Sequence, residues 1–215
     1  MDQDMILSFF GGVSQDGFSW KIDFDMVLFE LARWLLPIGI CLLTEGVWLE
    51  KWRKIEPISC YRYETVKIWW KQKFAKSLLN GIFVAAVLII TAMVVDTMNA
   101  VSFSDKVWKV LVLWFAHIMT IISFFLVLDL TNMGRLAPAI LLLFEGCTFL
   151  VGFKFMETAR FMYGMWGMYF QSEWNFGETG VTVITSLIAE GILLVLSYLA
   201  GRVLLKRRYR VSVDR

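Results

Sequence analysis

SLLNGIFVAAVLIITAMVV, Ser77 to Val95, runs for 19 residues without a charged side chain. A helix in water keeps one face polar. A helix of this length at 1.5 Å per residue is about 28 Å long, close to the ~30 Å hydrocarbon core of a bilayer. The stretch reads as a membrane span, and the rest of the chain is read outward from it.

The 215 residues are 58% hydrophobic and 19% charged, with mean hydropathy +0.64. A soluble domain is nearer half apolar and a quarter charged. That much apolar surface exceeds what one soluble core can bury, so residues 1–215 read as a single all-α polytopic membrane domain. Five spans are expected, at about 26–49, 77–95, 110–128, 136–153 and 181–201. A basic connection covers 50–76, and a segment rich in Met, Phe, Tyr and Trp covers 154–180.

Charge sets the expected orientation. Residues 50–76 carry eight Lys or Arg and the tail after Gly201 carries six, whereas residues 1–25 have one, Lys21, against five aspartates. Basic short loops stay on the cytoplasmic side. Five spans then require the N-terminus out and the C-terminus in. Asn132 and Gly134 suit a tight turn joining spans three and four, and Pro138 suits the start of span four, where its missing N–H costs least. The aromatic segment 154–180 is expected at the headgroup level, as an interfacial or re-entrant piece. Its methionines also suit an outer gate meeting an amphiphile.

Immediately before Ser77 comes SCYRYETVKIWWKQKFAK, Ser59 to Lys76. Trp69 and Trp70 can pin the interface while Lys71, Lys73 and Lys76 meet phosphates or water. The same residues also read as a short cytoplasmic helix capped by Ser59, with Tyr61, Tyr63, Trp69 and Trp70 as exposed anchors for a partner's groove.

The run LLPIGICLLTEGVWLEKWRK, followed by YRYETVKIWWKQKFAKSLLNGIF, resembles membrane subunits of bacterial ABC-2 type exporters, in their small-permease, bacteriocin-like branch. The resemblance rests on Gly46 and Glu50, Arg62-Tyr63, Trp69-Trp70 and Lys73. It extends to HIMTIISFFLVLDL in the third span and to the basic tail LAGRVLLKRRYRVSV, which is similar to the strand-like end of many such subunits. It covers Pro37 onward. The family begins with an extra span, where this chain has only the apolar piece MILSFF.

The resemblance implies that Tyr61, Arg62, Tyr63, Trp69, Trp70 and Lys71 couple to a separate cytoplasmic ATPase that supplies ATP and Mg. It also implies a second permease subunit and a bacterial plasma-membrane location. The expected function is export of a peptide or amphiphile by alternating access. A non-transport accessory, anchor or immunity protein is the other reading.

Other chemistry is thinly represented. The sequence has no GxxxxGK[ST], HExxH or GxSxG, so neither ATP hydrolysis nor another catalytic or cofactor site is expected in this chain, and neither is nucleic-acid binding. Cys41, Cys60 and Cys147 form no CxxC pair. With one histidine, no metal site is expected. Ionisable residues inside spans cost on the order of 3 kcal/mol each at mid-membrane, and Glu30, Arg33, His117, Glu145 and Glu190 are therefore candidate pathway residues. Glu30 and Arg33 are spaced to pair on one helix face. Glu145 and Glu190 read either as hydrogen-bonded glue between helices or as the lining of a path for a proton or a cationic peptide. The glycines after them, Gly146 and Gly191, suit close helix approach. A Glu–His pair activating water on a metal is the least favoured reading.

Overall fold

The computed structural model describes residues 5–12, 24–62, 66–99, 106–131, 133–155, 158, 161–169 and 182–213. Among them the elements are α1 (Met5–Phe10), α2 (Phe24–Arg62), α3 (Val66–Met98), α4 (Lys106–Leu130), α5 (Ala137–Lys154), α6 (Tyr163–Trp166) and α7 (Val183–Val213). No strand occurs among the described residues. Five helices, α2 to α5 and α7, are long and apolar enough to cross a membrane. The chain is a helical, multi-pass membrane protein.

The hub is α4. It packs against α1, α2, α3, α5 and α7, and most of its central residues are buried, from Leu113 and Trp114 through Phe125 and Leu126. Two of its inward polar groups are small and bonded within the helix. Thr120 donates back to the Ala116 carbonyl and Ser123 to the Thr120 carbonyl. Helices α3 and α7 turn Leu79, Phe83, Ile90, Ile184, Ile188 and Ile192 outward. In water such a surface would be a liability; in hydrocarbon it is the solvated face.

The spans alternate in direction, which gives the bundle two ends. The basic end gathers the close of α2, the start of α3, the α4–α5 turn and the close of α7. Pro138 opens α5, as its chemistry favours. At the opposite end, the α3 residue Asp96 accepts hydrogen bonds from the backbone N–H of Met5 (2.7 Å) and Ile6 (3.0 Å), tying MILSFF to the bundle as a one-and-a-half-turn helix.

Three expectations change. The basic stretch forms no separate short helix: α2 continues to Arg62 and α3 begins at Val66, so Ser59 lies inside α2 rather than at a helix start. The tail is helical to Val213 rather than strand-like. With 39 and 33 residues, α2 and α3 are about 58 and 50 Å long and overrun the bilayer core.

Candidate functional site

His117 sits about 17 Å from one end of α4 and about 20 Å from the other, near mid-membrane. Its two ring nitrogens face two different helices. Nε2 lies 2.9 Å from Glu145 Oε1 on α5, and Nδ1 lies 2.6 Å from Glu190 Oε1 on α7. The Trp34 indole N–H of α2 donates to the same Glu145 oxygen at 3.3 Å. All three charged side chains are sealed from solvent, the imidazole completely.

Two nitrogen–oxygen pairs at these distances each hold one proton. The three groups therefore share two protons, either as an imidazolium between two carboxylates or as a neutral imidazole with one carboxylic acid. The net charge is −1 in both cases. The second oxygens, Glu145 Oε2 and Glu190 Oε2, are buried and have no hydrogen-bond partner. The imidazole lies between the carboxylates with its nitrogens aimed apart, so one ion cannot bind all three side chains. Among the described residues no cluster of His, Cys, Asp and Glu is arranged to hold a metal.

Of the five intramembrane candidates, the fold brings together His117, Glu145 and Glu190. Glu30 and Arg33 pair with each other on α2, away from the triad. Gly146 and Gly191 do not provide the close approach expected of them. A methyl group at Gly146 would meet only ordinary contacts, and one at Gly191 would meet open space.

The triad is roofed by α6 and its flanks. The Tyr163 ring stacks on the imidazole at 4.8 Å with an interplanar angle of 28°. The Gly164 N–H donates to Thr148 Oγ1 at 2.9 Å. A Cβ at Gly164 would strike the α5 backbone at Glu145, and one at Gly167 would strike the imidazole. The segment from Met162 to Tyr169 thus re-enters the membrane to the depth of His117. Irregular backbone is tolerated at that depth because it is buried in protein; Tyr163, Gly164, Met165, Gly167, Met168 and Tyr169 are all buried.

A second ionic cluster closes the basic end. Asp129, at the end of α4, takes Arg53 Nε of α2 at 2.6 Å on Oδ1 and Lys73 Nζ of α3 at 3.0 Å on Oδ2. Lys73 is buried and also stands 5.1 Å from the Trp69 ring centroid. Gly134 in the following turn leaves room for the Arg53 guanidinium, where a Cβ would collide. Nearby, Glu45 is buried between Ser77 and Asn80, which both donate to it.

The expected coupling residues are dispersed. Trp69 and Trp70 are wholly buried, so they are not exposed anchors. The reason is that the start of α3 packs along the helical tail of α7. The Trp70 indole N–H donates to the Tyr198 carbonyl, and its ring fills the space over Gly201. Lys71 is exposed. Tyr61 and Arg62 end α2, and Tyr63 lies outside the described residues.

Sequence reasoning gave no site role to Asp129, Arg53, Trp34 or Tyr163. The available signals were an acid closing an apolar run, VLDL, and paired glycines in YGMWG. No family model matches the chain, and neither the curated proteins nor the solved structures contain a match.

Proposed function

We propose that the chain is the membrane subunit of an exporter for a peptide or other amphiphile, resident in a bacterial plasma membrane and driven by a separate ATP-binding subunit. The observation that carries this reading is the Asp129 clasp, which joins α4 to the basic ends of α2 and α3. Beyond Arg53, α2 continues for about 14 Å, and before Lys73, α3 extends about 10 Å. These ends carry exposed Lys54, Lys67 and Lys71. A push on either lever meets Asp129 and passes to α4, the hub of the bundle. The grip therefore moves from the tryptophans to the exposed lysines and the tip of α2 at Tyr61 and Arg62. A second copy or a sister subunit would complete the pathway.

Purification of the tagged chain from its native membrane tests the reading. An ATPase with a Walker motif is expected to co-elute with the wild type. It is lost from Lys67→Glu/Lys71→Glu, whose exposed side chains leave the fold untouched. Absence of any ATPase, or its retention by the charge-reversed variant, refutes the proposal.

A further inference from the structure

We propose that Glu145, His117 and Glu190 form a proton-exchange site at the centre of the membrane, capped by the re-entrant α6 segment from the end opposite the basic patches. This gives the chain a proton-linked step of its own. It does not depend on the ATPase reading.

The imidazole is engaged at both nitrogens, each with a different carboxylate. Histidine is suited to accept a proton at one nitrogen and release one from the other. The transfer balances without any outside reagent. The Glu145 carboxylic acid gives its proton to Nε2, while Nδ1–H passes its proton to Glu190. One O–H and one N–H bond break and one of each forms. The ring ends as the other tautomer, the acid has moved from α5 to α7, and the net charge stays at −1. The two orphan oxygens, Glu145 Oε2 and Glu190 Oε2, are the open acceptors at which a proton enters or leaves.

The surroundings favour a proton over a larger cation. The imidazole fills the gap between the carboxylates. The other side chains facing it are Trp34 from α2, which donates to Glu145, and Tyr163 from α6, whose ring stacks on the imidazole. On α4 the next ionic group toward the basic end, Asp129, is about 18 Å along the helix and is held by Arg53 and Lys73. On α2, Arg33 pairs with Glu30 through one nitrogen while its Nε is buried without a partner, and Glu45 is about 16 Å along from Trp34. Among the described ion pairs, the cation that Glu145 and Glu190 share is the imidazole.

The cap is the gate. It is seated by the Gly164 hydrogen bond to Thr148 and by glycines that admit no side chain at positions 164 and 167. Lifting it removes the Tyr163 ring from the imidazole and opens the triad toward one side of the membrane only.

The chain's single histidine makes the test direct. Full-length protein labelled with ¹⁵N-histidine in lipid nanodiscs reports both nitrogens of His117 and no others. In the wild type the two resonances are expected to hold still as bulk pH is moved between about 5 and 8. Glu145→Gln should displace the Nε2 resonance and Glu190→Gln the Nδ1 resonance. Gly167→Ala, which forces a methyl against the ring, and Tyr163→Ala, which deletes the covering ring, should both make the resonances follow bulk pH. Tyr163→Ala removes atoms rather than adding them, so it covers the case in which Gly167→Ala does not assemble. A wild type that titrates freely overturns the cap. Resonances that stay fixed in the assembled cap variants overturn the exchange. Resonances indifferent to both glutamine substitutions overturn the relay.

Discussion

The Trp70 indole N–H donates to the Tyr198 carbonyl oxygen at 3.0 Å, and the two rings stack at 6.4 Å. A tryptophan in a basic stretch is here an internal staple between α3 and α7. Gly201 lies under its six-membered ring, where a Cβ cannot fit. Trp70→Ala should therefore cost about 3–5 kcal/mol of stability. Trp70→Phe should cost about 1 kcal/mol, mostly the lost hydrogen bond. Gly201→Leu should resemble overpacking, about 1–3 kcal/mol. Thermal unfolding in detergent ranks the three. A Trp70→Ala protein as stable as the wild type would return this residue to the surface.

Asp129 is the shared anion of two cations from two helices, so its removal strands charge. With Lys73 buried, Asp129→Leu should lose about 3–5 kcal/mol, whereas Lys73→Met/Asp129→Leu should lose less than the sum of Lys73→Met and Asp129→Leu. Denaturation of the four proteins gives the coupling energy directly. If the single and double changes simply add, the clasp is not one unit and the lever argument loses its root.

The triad obeys the same logic with the roles reversed, because here one imidazole serves two carboxylates. Glu145→Gln and Glu190→Gln each keep a polar partner and should cost about 1–2 kcal/mol. His117→Ala leaves both glutamates buried and facing one another, and should cost about 3–5 kcal/mol. Unfolding midpoints compare the three. If His117→Ala were as mild as either glutamine change, the imidazole would not be what binds α4 to α5 and α7.

How much of this was written in the chain depends on the range of the interaction. Ser77 to Val95 announces a span by itself, and Pro138 marks where α5 begins. Glu145, Glu190 and His117 stand out because charge inside apolar runs is costly. Their meeting does not. The pairs are separated by 28 and 73 positions, and only the rotation of each packed helix decides which inward faces coincide. Trp69 and Trp70 look interfacial because the apolar run ends at Ser77. The helix does not end there, and a helical α7 tail waits to cover them. Asp129 looks like a loop-edge acid until Arg53 and Lys73 arrive from helices that lie far away in sequence. In the aromatic segment, Gly164 and Gly167 are the local trace of a backbone pressed into the bundle, a pattern that composition alone does not distinguish from an interfacial belt.

The orientation on which the lever and the cap acquire their sides rests on lysine and arginine counts, and it can be read chemically. Lys71 is exposed at the basic end, and Asn99 is exposed at the opposite end, just past α3. With the native cysteines replaced, Asn99→Cys should react with a membrane-impermeant maleimide on intact cells. Lys71→Cys should react only after the membrane is opened. Neither side chain carries packing, so neither substitution perturbs the bundle. The reverse pattern would place the α2 and α3 ends where no ATP is available, and the exporter reading would fall. The triad would survive it, because the chemistry of Glu145, His117 and Glu190 does not depend on which face the cap opens to. Only the source of the proton would change sides.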